Sequence, residues 1–296
     1  MTELSPRIVN GLSVDVEEHF QVQALSSAFP PSRWQACESR VEANTERLLE
    51  IFSEAQVKAT FFTLGWVAER HPQLVRRIVA DGHEIASHGY RHERVDSQTP
   101  EAFRADVGTT RRLLEDLGGV AVRGYRAPTF SVGPHTPWAW RILEEEGYTY
   151  SSSIYPVLRD NYGVPSAPRG VHRPEGAHSL VEIPIATVRF AGRNWPSGGG
   201  GYFRLLPYQL SRAAIRRINQ VDRMPAAFYI HPWEVDPGQP RVTSAPLKSR
   251  LRHYINLEKT GPRLTRLAHA FLWDRMDRAF GLAGAHEPAR ATMWKS

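Results

Sequence analysis

The chain has 296 residues, 41% hydrophobic and 23% charged, which suits one large α/β domain or a domain with an appendage. Its formal charge of +6 is scattered through "RRIVADG", "TTRRLL", "AAIRRI" and "LKSRLRHY", so nucleic-acid binding has no motif behind it, and solvated helix faces account for the excess. The single cysteine, Cys37, excludes an intramolecular disulfide, no window approaches 18 apolar residues, and the N-terminus lacks a basic-then-apolar leader; the expectation is a cytoplasmic protein without a transmembrane segment.

In chain order, β-branched or aromatic runs bounded by Gly or Pro predict strands over 8–16, 58–65, 83–89, 122–128, 148–155, 179–188 and 226–233. Between them, "VEANTERLLEIFSEA" places Val41, Thr45, Leu48 and Phe52 on one helical face. "EAFRADVGTTRRLLEDLG" does the same with Phe103, Val107, Leu114 and Leu117 and ends in a glycine stop. "PWAWRILEEEG" and "PYQLSRAAIRRINQ" are helical stretches opened by proline. This alternation predicts a parallel sheet covered by helices, either open or closed as a barrel. "PSGGGGYFRLLP" reads as a flexible loop, or else as backbone brought close to a ligand. Beyond Pro237 a Pro-rich connector leads to helical stretches over 247–258 and 262–281 and then to a tail of low order. Residues 240–285 are therefore expected to form a helical appendage.

Ligands of α/β folds gather at the C-terminal ends of the strands. Asp15-Val16-Glu17-Glu18 closes the first strand, Ser87-His88 the third with His92 just beyond, Arg126-Ala127-Pro128 the fourth, and His231-Pro232-Trp233-Glu234 the last. His88 and His92 can face one cation if the segment turns helically after its strand, and a carboxylate would complete a facial set with open positions for water and substrate. Asp15 and Glu17 share a face if the strand persists. Two bare anions in a dry pocket repel, so a division of labour is expected, one acid on the cation and one taking a proton. The competing reading is a solvated acidic loop extended by Glu18.

The ordered segments "SVDVEE", "SHGYRH", "RAPTF", "YSSSIYP" and "YIHPWE", spanning about residues 8–236, resemble the motifs of the polysaccharide deacetylase family (carbohydrate esterase family 4, the NodB homology domain). "SVDVEEHF", "HPWE" and the C-terminal extension are similar to a subgroup associated with exopolysaccharide and exosortase loci. The resemblance implies a distorted (β/α) barrel of about seven strands with the helical C-terminal appendage. It implies an enzyme that removes N-acetyl groups from amino sugars of a glycan or its precursor, using a divalent metal, most often Zn²⁺.

Carried over by position, Asp15 matches the catalytic base. His88 and His92 match the metal histidines, and Glu17 matches the metal acid of members with an Asp-x-acid spacing. Arg126 matches the arginine that orients the base, Thr129 the donor of a backbone N–H to the oxyanion, and His231 the general acid. Ser151 departs from the pattern, standing where the family has an aspartate bonded to that histidine; Glu182 and Glu234 are both candidates to replace it. Phe130, Trp195, Tyr202 and Trp233 could stack on sugar faces or simply pack in the core. The partner implied is an N-acetylated glycan. The C-terminal helices could close the pocket, mediate dimerisation or dock an exopolysaccharide-assembly partner. A small-molecule amidase of the same fold and a non-catalytic glycan-binding barrel are the alternatives.

Overall fold

The computed structural model describes residues 8–159 and 162–283; the tail and the last two residues of the expected appendage lie outside them. Strand β1 (Val9–Val16) sets the geometry through its period of two. Leu12, Val14 and Val16 enter the main hydrophobic layer beneath the helices, while Ser13 and Asp15 meet Arg126 on the other face. Helix α1 (Val41–Glu54) buries Val41, Thr45, Leu48 and Phe52, as its spacing predicts. Its start is held by Glu18, whose carboxylate accepts the Arg40 N–H at 3.0 Å. Glu18 is 1% exposed, so the acidic run is not a solvated loop.

Strand β2 (Thr60–Thr63) stops short of its expected end at 65 because Gly65 opens α2 (Gly65–Arg70), followed by α3 (Pro72–Ala80) with proline at its first position. Strand β3 (Glu84–Ser87) leads to α4 (Pro100–Gly118), which starts at the Thr99 side-chain cap and ends at left-handed Gly119, φ 65°. Strand β4 (Gly124–Tyr125), helix α5 (Trp138–Glu145), strand β5 (Tyr150–Ser151) and strand β6 (Val181–Glu182) complete the first part of the sheet. These three strands are far shorter than expected. Their flanking backbone leaves the ladder to bond side chains of the site: the Arg126 carbonyl meets His88, and Ser152 and Ser153 meet Arg126 and Ala127.

The end of the expected 179–188 strand instead starts an antiparallel ribbon, β7 (Thr187–Phe190) with β8 (Arg193–Pro196). Helices α6 (Gly200–Leu205) and α7 (Tyr208–Gln220) precede β9 (Ala227–Ile230). The glycine segment is not a flexible loop. The Gly198 carbonyl accepts the Tyr229 N–H at 2.7 Å, and a Cβ on Gly200 would lie 2.1 Å from a Glu234 oxygen. Glycine stands here because backbone passes where no side chain fits.

All pairings of the main sheet are parallel, in the order β9–β1–β2–β3–β4–β5–β6, and the curled sheet is a distorted barrel. The Ala186 N–H bonds the Ala227 carbonyl at 3.0 Å, so the segment after β6 meets the free edge of β9. The C-terminal extension contains α8 (Leu247–Tyr254) and α9 (Leu257–Ala270), but it does not stay helical to 281. Strand β10 (Leu272–Asp274) pairs with Val9–Gly11, and α10 (Met276–Ala279) follows. The reason is an edge left open: β2 pairs only with Ser13–Val16, so the first half of β1 needs another strand. No helix among the described residues is long and apolar enough to cross a membrane.

Candidate active site

The C-terminal ends of β1, β3, β4 and β9 converge on one cavity of about 680 Å³, lined by Asp15, Glu17, His88, His92, Thr129, Phe130 and His231. Asp15 is held from one side by the fully buried Arg126, whose Nη1 donates to Oδ1 at 2.5 Å and to Ser13 Oγ at 2.9 Å. The remaining guanidinium N–H groups donate to the carbonyl and hydroxyl of Ser152 at 3.0 and 2.9 Å, and the Phe62 ring lies 4.0 Å beneath. A buried cation with this many partners cannot swing away, so the Asp15 carboxylate has one available orientation.

Glu17, His88 and His92 offer one ligand atom each within 4.8 Å of one another. The His pair meets through a loop rather than the helical turn expected from its spacing. Gly89 (φ 73°) and His92 (φ 53°) are left-handed, and the ring centroids stand 5.3 Å apart. The His88 Nδ1–H donates to the Arg126 carbonyl at 2.8 Å, which leaves the Nε2 lone pair for a cation. Burial holds His88 neutral, near 4, the form a metal requires. Burial alone would raise Glu17, but His92 and His231 outweigh it and hold the carboxyl near 2. Its buried Oε2 makes no hydrogen bond although His92 Nε2 is 2.9 Å away, a misalignment that suits two ligands of a shared ion better than a donor and acceptor. Two imidazoles and a carboxylate fit a divalent transition metal.

His231 is the N-cap of a single 3-10 turn that Pro232 opens, and Glu234 at the third position reaches back to it. The His231 Nδ1–H donates to Glu234 Oε1 at 2.7 Å, freeing Nε2, which lies 3.5 Å from Glu17 and 3.9 Å from Asp15. Burial opposes protonation of His231, but Glu17, Glu234 and Asp15 outweigh it and raise the imidazole to about 9. Glu234 is fully buried; burial would raise it, but Arg204 Nε at 2.6 Å and His231 bring it down to about 2. This settles the choice left by Ser151. Ser151 bonds Ser153 across β5, and Glu182 accepts the Ser153 and Ile154 N–H groups, so neither contacts His231. Glu234 supplies the anion.

The aromatic residues divide. Phe130 lines the cavity but is packed against Tyr155 and Tyr229, and Thr129 beside it has φ 56°, a costly conformation for a β-branched residue. Trp233 has no face free for a sugar: it is 5% exposed and its indole N–H donates to Glu17 Oε1 at 3.2 Å. Tyr202 lies outside the cavity lining, under the Arg159 guanidinium, and Trp195 belongs to a separate cleft beside the β7–β8 ribbon. Sequence reasoning missed Arg204 altogether. Its only signal was a lone cation inside "GGGGYFRLLP", a segment that looked like a loop.

Comparisons with known proteins agree with this geometry. Residues 34–151 match the polysaccharide deacetylase family model, and residues 152–281 match DUF3473, a domain of unknown function. A chitooligosaccharide deacetylase of Sinorhizobium fredii is 42% identical over 146 residues, 49% of this chain and 61% of the relative. A peptidoglycan-N-acetylglucosamine deacetylase of Bacillus cereus is 36% identical over 84 residues, 28% of this chain and 30% of the relative. The chain thus spans less than two thirds of the curated relatives it matches. A solved chain from Mycobacterium smegmatis with a provisional polysaccharide deacetylase name superposes with a TM-score of 0.60 at 20% identity, covering 95% of this chain and 94% of that one, which shows a shared fold. Residues 34–151 thus carry a polysaccharide deacetylase domain, which supplies β2 to β5, and the DUF3473 segment supplies β6, β9 and β10 of the same sheet.

Proposed function

We propose that this protein is a metal-dependent N-deacetylase acting on an acetylated amino sugar of a glycan, such as an exopolysaccharide, or of its precursor. The observation that carries the reading is the convergence of three sets on one cavity: Glu17, His88 and His92; Asp15 held by Arg126; and His231 held by Glu234. Glu17, His88 and His92 would hold the cation, with Zn²⁺ the best match to two imidazoles and a carboxylate. Such an ion would make water more acidic and polarise the acetyl carbonyl.

The chain's own residues supply the rest. Asp15, fixed in one orientation, accepts the proton of the attacking water. The strained Thr129 turn offers its backbone N–H to the oxyanion, a kind of donor whose loss typically costs about 2.7–4 kcal/mol. His231 gives the proton on Nε2 to the departing nitrogen, and Glu234 keeps the imidazole charged and oriented while it waits. The Glu234 anion also weakens the case for a small-molecule amidase, which rested on the loss of an aspartate at Ser151 together with the expected cytoplasmic location. A purely glycan-binding barrel would need neither the Asp15–Arg126 nor the His231–Glu234 pair.

The test is acetate release from N-acetylglucosamine oligomers by zinc-loaded and chelated protein, with His88→Ala as control. Release should require the metal and vanish in the variant. A zinc-loaded protein that frees no acetate from any acetylated glycan would defeat the reading.

A further inference from the structure

The rim of the barrel is built partly from residues beyond the motifs. Trp233, which donates to Glu17, stacks on two imidazoles, His231 with centroids 5.1 Å apart at 25° and His253 of α8 at 4.2 Å and 15°, and the Arg204 guanidinium lies 5.0 Å from its ring. His253 is itself fixed. The Gln239 amide donates to the carbonyls of Trp233 (2.7 Å) and Asp236 (3.0 Å), so its oxygen must accept, and the His253 Nε2–H donates to it at 2.5 Å. His253 is 2% exposed, so no water competes for that bond. The Glu234 side is anchored to the same segment. Arg204, bonded to Glu234 through Nε, sends Nη1 to the carbonyls of His253 and Ile255 at 2.8 and 3.1 Å. From the outer face of the same helix, Ser249 and Arg252 form part of the cavity wall.

We infer that the C-terminal extension is a working part of the metal site, with His253 a positioning residue that holds the Trp233 indole against Glu17 and so aims that carboxylate at the cation. The inference rests on the proposed metal role of Glu17. With the His253 ring stacked on it at 4.2 Å, the closest of its ring contacts, the Trp233 indole is held in one orientation for its N–H. Without it, the indole can tilt into the vacated space, and Glu17 loses the donor that fixes Oε1. Partners of this kind, which bond a ligating carboxylate rather than the metal, typically govern 10–100-fold in metal affinity. A core residue that only packs would change stability alone.

The experiment titrates the full-length chain with zinc alone, in competition with a chromogenic chelator, for wild type, His253→Ala and His253→Phe, and follows thermal unfolding of each. His253→Ala is expected to bind zinc about 10-fold or more weakly. His253→Phe keeps a flat ring against the indole and should recover most of that loss, even where both variants melt earlier than wild type. Zinc affinity in His253→Ala equal to wild type, with only the melting temperature lowered, would overturn the inference. So would wild type that binds no zinc. The readout is independent of turnover, so a chain that frees no acetate but shows the affinity pattern defeats the deacetylase reading and supports this one.

Discussion

The two ends of the barrel both bury glutamates, and they treat them in opposite ways. At the C-terminal rim, Glu17 faces His92 and His231 and Glu234 faces Arg204 and His231; burial pushes both up, but these basic side chains outweigh it and bring each to about 2. At the N-terminal floor, Glu84 accepts from Thr60 and lies beneath Asp277 of α10, and burial together with that second carboxylate raises it to about 7. Met276 seals this end: it is fully buried, and its N–H donates to Thr60 at 2.8 Å. The same kind of side chain is an anion at one end and keeps its proton up to near-neutral pH at the other. The neighbours differ because the rim brings histidines and an arginine to its carboxylates, whereas the floor sets a second carboxylate against Glu84.

That contrast can be broken at either end, and the rim should give the larger effect. His231→Ala removes the proposed proton donor from a partly exposed position and should lower kcat/KM for acetate release by about 10²–10⁴-fold with a small change in melting temperature. Activity within tenfold of wild type would place the donor elsewhere. The floor should respond in stability instead. Glu84 has a folded-state value above its unfolded one, so its contribution is full below about 4.5 and is lost as pH rises through about 7. Glu84→Gln should flatten the decline of unfolding free energy between those values, by no more than about 3 kcal/mol at 1.36 kcal/mol per unit. Denaturant melts at pH 5 and pH 8 compare the two slopes; parallel slopes in wild type and variant would show that Glu84 is not neutral in the fold. The smallest effect belongs to Trp195, half exposed on the ribbon and outside the catalytic cavity. Trp195→Ala should change stability by less than about 0.5 kcal/mol and leave acetate release from short oligomers within twofold. A tenfold rise in KM would instead bring the neighbouring cleft into substrate binding.

Much of this was legible from residue spacing. The α1 stripe, most of the α4 stripe and the glycine stop (expected at Gly118, found one residue later at Gly119) follow from a period of 3.6, and Asp15 and Glu17 reach the same cavity although β1 ends at Val16. The two-residue strands β4, β5 and β6 were overestimated because apolar runs continue past the point where the backbone turns aside to bond the site. Helices α2 and α3 went unread between two strands, and β10 was hidden in a helical pattern. Three residues carry no period, and only the open edge of β1 makes them a strand.

By itself the sequence determined which candidate side chains stand at the strand ends and reach one cavity, because side-chain direction along a strand is set by local backbone geometry. Tertiary structure alone decided how they are held. Glu234 rather than Glu182 serves His231, Trp233 braces Glu17 instead of meeting substrate, and Arg204 links both to a C-terminal segment about 50 residues further along the chain. Such partnerships join groups far apart in sequence through desolvated hydrogen bonds, and burial, which decides their strength and sign, has no value until the chain is folded.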